Sequence, residues 1–317
     1  MLLVAGALTV DRLYRCVRLP EAGGAVSGSA SLQLGSLGGI EALAALRNGA
    51  QVQLLAALGD DADGRVLRDL LHQHGLDAHL QVCADAPTGS GATFLDDEGG
   101  HTHVCALAAN ALLDAEPEAM RLLDTATLLL CQCEANPRAS GLLMARARER
   151  GLRCVLHAGP ARPDAMRVLA PHADLVVTGD RGLSELVRIF NPSGLGDFTG
   201  EQIHGLSDAR LHELCRATLP CDIVVLLGAR GAFMSSTDGT FKLQGDARTS
   251  VTRPALRCAE ETFVGALCAR LLDGESLLHA VRYSITAAAV MPLPGGQENI
   301  PRKAEVLAAL NEKPRDY

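Results

Sequence analysis

The sequence predicts an α/β fold: a mostly parallel central sheet with helices on both faces and a small β lid. Two patterns and the composition carry this prediction. Short apolar runs at 1–8, 51–58, 127–133, 152–157, 174–178 and 222–227 have strand character. Helix-patterned segments at 38–48, 62–75, 137–150, 163–171 and 206–218 lie between most of them. Such alternation reads as parallel strands joined by crossover helices and covered on both faces. Hydrophobic residues make up 48% of the 317 and aromatic residues only 3%, with no Trp. The core must therefore be Ala, Leu and Val, which suits close-packed helices on a sheet.

Residues 1–8 read as the first buried strand, since Asp11 and Arg12 follow directly and no basic region precedes them. Residues 12–34 alternate polar and apolar with Gly and Ser, and 89–107 carry the turn Asp96-Asp97-Glu98-Gly99-Gly100 between strand-like arms. Both segments read as antiparallel lid strands outside the main sheet. Residues 188–204 form a long Gly-rich connection expected to be a surface loop. Helices at 261–273 and 275–291, joined at Asp273-Gly274, close the chain, and 1–317 is expected to form one domain.

A formal net charge of −8 argues against a nucleic-acid partner. No apolar run approaches the roughly 20 residues of a membrane span. The ten cysteines contain no C-x-x-C pair and read as reduced core residues of a cytoplasmic protein. His101 and His103 share a strand face, but no third ligand lies near in sequence, so no zinc site is expected. No Gly-x-Gly-x-x-Gly follows the first strand, which excludes a nicotinamide dehydrogenase on a doubly wound sheet.

The most informative stretch is Cys258-Ala259-Glu260-Glu261-Thr262-Phe263-Val264-Gly265-Ala266, a helix start. Free N–H groups and the macrodipole make a helix N-terminus a phosphate cradle. Two adjacent carboxylates there would repel a triphosphate unless a metal or a base-like role compensates. Earlier in the chain, Gly35-Ser36-Leu37-Gly38-Gly39-Ile40 runs into a helix ending Arg47-Asn48-Gly49. Leu58-Gly59-Asp60-Asp61-Ala62-Asp63-Gly64 follows it. The second half carries Val225-Leu226-Leu227-Gly228-Ala229-Arg230-Gly231 and Gly295-Gly296-Gln297-Glu298-Asn299-Ile300-Pro301. With the order of elements, these segments resemble the PfkB/ribokinase family of carbohydrate kinases over nearly the whole chain.

The resemblance implies a ribokinase-like three-layer sandwich with a β lid. It implies ATP-dependent phosphorylation of a sugar or nucleoside hydroxyl, with ATP and Mg as cofactors and a homodimer formed through the lid. Asp11, at the end of the first strand, matches the family's sugar-binding Asp; a turn-capping Asp is the alternative. Gly38 and Gly39 lie in its glycine-rich substrate signature. Asn110 matches the Asn of its Gly-Ala-Asn, with a helix-cap or turn Asn as the alternative. Gly228, Ala229 and Gly231 look like its nucleotide turn, although an ordinary hairpin would use the same glycines. Cys258, Ala259 and Glu260 align with its anion hole, and Glu261 with its general base.

Several positions depart from the family pattern. Ile40 replaces a substrate Asn, Leu226 a Thr, and Cys258 and Glu260 the two glycines of the anion hole. Glu261 replaces Asp, and its extra methylene moves the carboxylate by about 1.5 Å. A misplacement of about 1 Å can cost on the order of a hundredfold in rate. Gly179-Asp180-Arg181-Gly182 stands where the family has its metal-organising Asn-x-x-Glu, with Asp180 and Glu185 out of register, so no dedicated metal site is expected. Arg257 would either offset Glu260 or sit on the surface. These departures define the alternative to the kinase: a non-catalytic kinase-fold protein that binds a small molecule or a partner.

Overall fold

The computed structural model describes residues 1–98, 100–114, 118–159, 161–190, 198–245, 258–291 and 297–311. Among the described residues, thirteen strands form two sheets. In chain order they are β1 (Leu2–Ala5), β2 (Thr9–Cys16), β3 (Gly28–Gly35), β4 (Val52–Gly59), β5 (Asp77–Cys83), β6 (Ser90–Asp96) and β7 (His101–Ala106). Then come β8 (Leu128–Gln132), β9 (Arg153–His157), β10 (Leu175–Gly179), β11 (Asp222–Leu226), β12 (Ala232–Ser236) and β13 (Gly239–Leu243). The large sheet has the order β13-β12-β11-β10-β9-β8-β1-β4-β5. Its strands β5, β4, β1, β8, β9, β10 and β11 are mutually parallel, and β12 runs antiparallel to its neighbours β11 and β13.

Apart from the edge strand β5, the parallel strands are buried on both faces, and alternate residues feed two separate cores. Leu3, Ala5, Leu129, Cys131 and Val176 pack with helices Pro137–Glu149, Pro163–Leu169 and Asp208–Thr218. Leu2, Val4, Leu54, Leu130 and Val177 pack on the other face with Ser36–Arg47, Ala62–His74, Ala259–Leu272 and Leu277–Ala289. This is the three-layer arrangement expected from the alternation of strand and helix. No helix among the described residues is long and apolar enough to cross a membrane.

The small sheet, order β3-β2-β6-β7, is the lid. Its hairpins β2–β3 and β6–β7 are antiparallel and meet through parallel β2–β6. The hairpins enter the chain after β1 and after β5. One expectation is corrected here. Residues 1–8 are not one strand: β1 ends at Ala5, and Gly6-Ala7-Leu8 turns the chain into β2. Asp11 thus belongs to the lid and not to the end of the first sheet strand. The turn is forced by a backbone contact, since a Cβ at Gly38 would stand 2.8 Å from the Ala7 carbonyl oxygen and 2.9 Å from Gly6 Cα.

The segment expected as a loop over 188–204 is partly helical, in Asp180–Phe190 and in Gly200–His204, where Thr199 and Gln202 form a capping box; 191–197 lie outside the described residues. Gly295, Gly296 and Arg257 also lie outside them.

Gly265 lets two helices of one layer touch. A Cβ there would meet Ala44 Cβ at 2.5 Å, the Glu41 carbonyl oxygen at 2.6 Å and Ala45 N at 2.7 Å. Gly265→Ala is expected to lower stability in urea denaturation, because overpacking against backbone costs about 1–3 kcal/mol. That cost outweighs the gain of about 1 kcal/mol in helix propensity. An unchanged or raised midpoint would refute the close approach.

Candidate active site

Parallel strands carry their C-terminal ends to one edge of a sheet, and ligands of such folds bind outside that edge. Here the edge collects Glu134 just after β8, His157 at the end of β9, Gly179 at the end of β10 and the Gly228–Arg230 turn after β11. The lid's inner face stands over part of it. Register places Asp11, Gln33, Gly91, Thr93, His103 and Cys105 on that face, because partnered residues share a side. Between lid and edge lies a cleft of about 480 Å³. It is lined by Asp11, Ser36, Thr93, His103, Glu134 and Glu261, with Cys258 and Glu260 beside them.

Asp11 is fully buried. Gln33 Nε2 donates to its Oδ2 at 3.1 Å, and Thr93 Oγ1 lies 3.2 and 3.1 Å from its two oxygens. The same hydroxyl is 2.8 Å from His103 Nδ1. A hydroxyl has a single proton, so when Thr93 donates to Asp11 it accepts from His103. Three lid strands thus hold the Asp11 carboxylate in one place above the cleft.

Glu261 lies in the first turn of the helix Ala259–Leu272, opposite that lid carboxylate. The first hydrogen bond of this helix runs from Thr262 N to the Cys258 carbonyl. The N–H groups of Ala259, Glu260 and Glu261 therefore lack an intrahelical acceptor. Cys258 adopts φ +68°, a left-handed conformation that glycine takes without strain. It holds this turn while burying its side chain.

Other predicted residues have different surroundings. Gly38 and Gly39 face Gly6, Ala7 and Leu8, where they let the helix Ser36–Arg47 lie against the β1–β2 turn. Asn110 accepts from Leu8 N at 2.8 Å and donates to the carbonyls of Leu8 and Leu107 at 2.7 and 2.8 Å. Its amide is hydrogen-bonded to the turn that leads to Asp11. Gly228 and Gly231 have φ +55° and +88°, and they close the β11–β12 connection together with Ala229. These three residues lie on the same sheet edge but do not line the cleft. In the Leu58–Gly64 motif, Asp61 accepts from Gly64 N, Thr88 N and Thr88 Oγ1. Burial works against this carboxyl, but those hydrogen bonds and Arg65 hold it below the usual carboxylate range.

Three residues of the site escaped the sequence reading. Glu134 accepts from Leu37 N at 2.8 Å and so caps the helix Ser36–Arg47. Burial pushes it up to about 7 against that hydrogen bond, with Glu41 and Glu261 adding to the rise. Glu41 and His157 are buried together beneath the cleft, Oε1 to Nδ1 at 2.5 Å, and Gln132 Nε2 donates to the other Glu41 oxygen at 2.5 Å. A signal existed for each. Glu134 and His157 follow or end predicted buried strands, and Glu41 is a lone charge inside Ile40-Glu41-Ala42-Leu43-Ala44-Ala45-Leu46.

Because the folded-state value of Glu134 lies above its ordinary 4.5, its stabilising contribution is full below that value and is lost as pH rises through about 7. Glu134→Gln is expected to flatten the fall of the urea midpoint across this range. An unaltered slope would show that Glu134 does not ionise under burial.

Comparison with known proteins places this geometry. Residues 36–302 match the model of the pfkB family carbohydrate kinases. The ribokinase of Haemophilus influenzae is 24% identical over 316 residues, spanning 98% of both proteins. The structure of ribokinase from Giardia lamblia aligns with a TM-score of 0.81 at 19% identity over 98% of both chains. Ribokinase of Arabidopsis thaliana, complexed with ribose and ATP, aligns with a TM-score of 0.79 at 19% identity over 98% of this chain and 99% of that one. The fold is that of the ribokinases.

Proposed function

The chain belongs to the pfkB family of carbohydrate kinases, and from that premise we propose that it phosphorylates a hydroxyl of a sugar or nucleoside with ATP. The observation that carries the reading is the pairing of Asp11 and Glu261 across one cleft. Residues 1–317 act in this reading as one domain, with lid segments over about 12–34 and 89–107. The Arabidopsis ribokinase of the same fold holds ribose and ATP together. Asp11, fixed by Gln33 and Thr93, orients the alcohol. Glu261 accepts the proton of the attacking hydroxyl, a task any carboxylate in reach can perform. The N–H groups of Ala259, Glu260 and Glu261 meet phosphate oxygens, and the Gly228–Gly231 turn flanks the nucleotide. The lid excludes water.

Magnesium would arrive on the nucleotide, whose phosphate oxygens supply part of its shell. Among the described residues no group of three or more His, Cys, Asp or Glu side chains is disposed to hold an ion. Among the described residues the ten cysteines form no disulfide, which suits a reducing, cytoplasmic setting. A second reading, a binding protein without phosphoryl transfer, is favoured by one feature: Glu260 stands where the family has a glycine of the anion hole.

Calorimetry with Mg-ATP and a transfer screen over sugars and nucleosides separate the two. Glu261→Gln is expected to lower kcat by about 10²–10⁴-fold with nucleotide affinity little changed. Full turnover in that variant would remove Glu261 as the base. Thermal stabilisation by a sugar, with no response to ATP, would establish the binding protein instead.

The lid also supports a homodimer. Its outer face exposes Tyr14, Leu32 and Val104, the last at 65%, and Tyr14 stacks on Phe94 at 5.2 Å. Exposed apolar side chains gathered on one sheet face mark an interaction surface. Val104→Asp is expected to shift the protein to monomer in sedimentation velocity. A wild-type monomer, or a dimer that survives the substitution, would dismiss the lid interface.

A further inference from the structure

Glu260 is the residue that most opposes an anion at the helix Ala259–Leu272, and the structure shows where its side chain goes. Its carboxylate leans over Gly179, the bare end of β10: a Cβ at that position would meet Oε1 at 3.2 Å. Its Oε2 lies 3.9 Å from Nε2 of His157. His157 is 1% exposed, and its buried Nε2 has no hydrogen-bond partner among the described residues. On the far side of the ring, Nδ1 is 2.5 Å from Glu41, which is itself fully buried.

This geometry decides the protonation of Nε2. One proton is shared between Glu41 and Nδ1, and in two of the three arrangements, protonated Glu41 beside a neutral ring and ionised Glu41 beside an imidazolium, Nε2 carries a hydrogen. The remaining arrangement, an ionised Glu41 beside a neutral imidazole with a bare Nε2, would leave a buried carboxylate uncompensated and a lone pair facing Glu260. Burial disfavours it on both counts. Desolvation opposes the charged ring, but the charge of Glu41, its hydrogen bond and the two carboxylates at 260 and 261 outweigh that and raise His157 to about 9. The titratable groups around the ring are Glu41 on one helix, Glu260 and Glu261 on another, and Glu134 after β8; Asp180 adds its charge at Glu260.

We propose that His157 is a positioning residue: backed by Glu41, its Nε2–H draws the Glu260 carboxylate onto the end of β10 and away from the helix amides that receive the phosphoryl group. The inference rests on the kinase reading given above. It turns the apparent obstacle at position 260 into a compensated one. The compensating cation comes from β9, more than 100 residues earlier in the chain.

Two measurements test it. The first follows the His157 ring by NMR across pH in the free protein. Glu260→Gln is expected to lower its midpoint by about half a unit or more, since an opposing charge near 4 Å is lost. An unmoved midpoint overturns the inference, and this variant alters only a half-exposed side chain. The second measures Mg-ATP affinity by calorimetry. His157→Asn keeps a donor for Glu41 and removes the arm that reaches Glu260. It is expected to weaken binding about tenfold, and His157→Asn with Glu260→Gln is expected to recover most of that loss. A simple packing defect would weaken both variants alike, and equal loss overturns the inference. A wild-type protein that binds no nucleotide refutes the kinase reading, and the positioning role with it. A wild type that binds, without rescue by Glu260→Gln, refutes the positioning role alone.

Discussion

The helices Ser36–Arg47 and Ala259–Leu272 can touch only because Gly265 has no side chain, with Glu41 O, Ala44 Cβ and Ala45 N all within 2.7 Å of where a Cβ would stand. That contact brings two helix starts to the same sheet edge. A second bare contact, Gly38 against Gly6 and Ala7, sets the first helix down on the β1–β2 turn. The turn in turn lifts Asp11 out of the sheet and onto the lid. Close backbone approach at these points therefore places the cleft residues with no linking side chain. Interiors packed as tightly as crystals leave such contacts little room to relax.

The electrostatics of the site follow from this placement. Asp11, Glu134, Glu260 and Glu261 line one cleft, and Glu41 lies buried beneath it. At Glu134, Glu41 and Glu260, desolvation and neighbouring carboxylates both raise the proton affinity. Burial leads the rise at Glu134, Glu41 and Glu260. The hydrogen bonds are distributed accordingly. Asp11 receives donors from two lid strands, Glu134 receives a helix N–H, and Glu41 receives the His157–Gln132 pair. The left-handed backbone of Cys258 costs about 1–2 kcal/mol by itself, which its burial in the core helps to offset.

Much of the scaffold was legible because its strands are continuous apolar runs buried on both faces, a pattern that survives without knowledge of partners. The lid hairpins were legible through alternation and turn residues. Elements with one wet face were not. β5, with its mostly half-exposed Asp77–Cys83, and the mostly exposed β13 carry too little apolar signal to stand out from loops. The helix Asp180–Phe190 was hidden because its apolar stripe abuts the Gly-rich stretch that follows it. In the site, Asp11, Glu260 and Glu261 could be singled out from motifs, but their surroundings could not. Gly38, Gly39 and Asn110 carry the same motifs and turn out to support the turn beneath Asp11.

By itself the sequence determined the layer order and the acidic character of the start of the helix Ala259–Leu272. Each of these is a local property, set by hydropathy period, turn chemistry or residue type. Only the tertiary structure decided that Asp11 sits on the lid, that Glu134 closes the neighbouring helix, and that Glu41 and His157 meet beneath Glu260. Glu41 and His157 are 116 positions apart. A charge's nearest neighbours across such a distance depend on how helices and strands stack, and stacking is settled by the fit of whole elements, which no local pattern records.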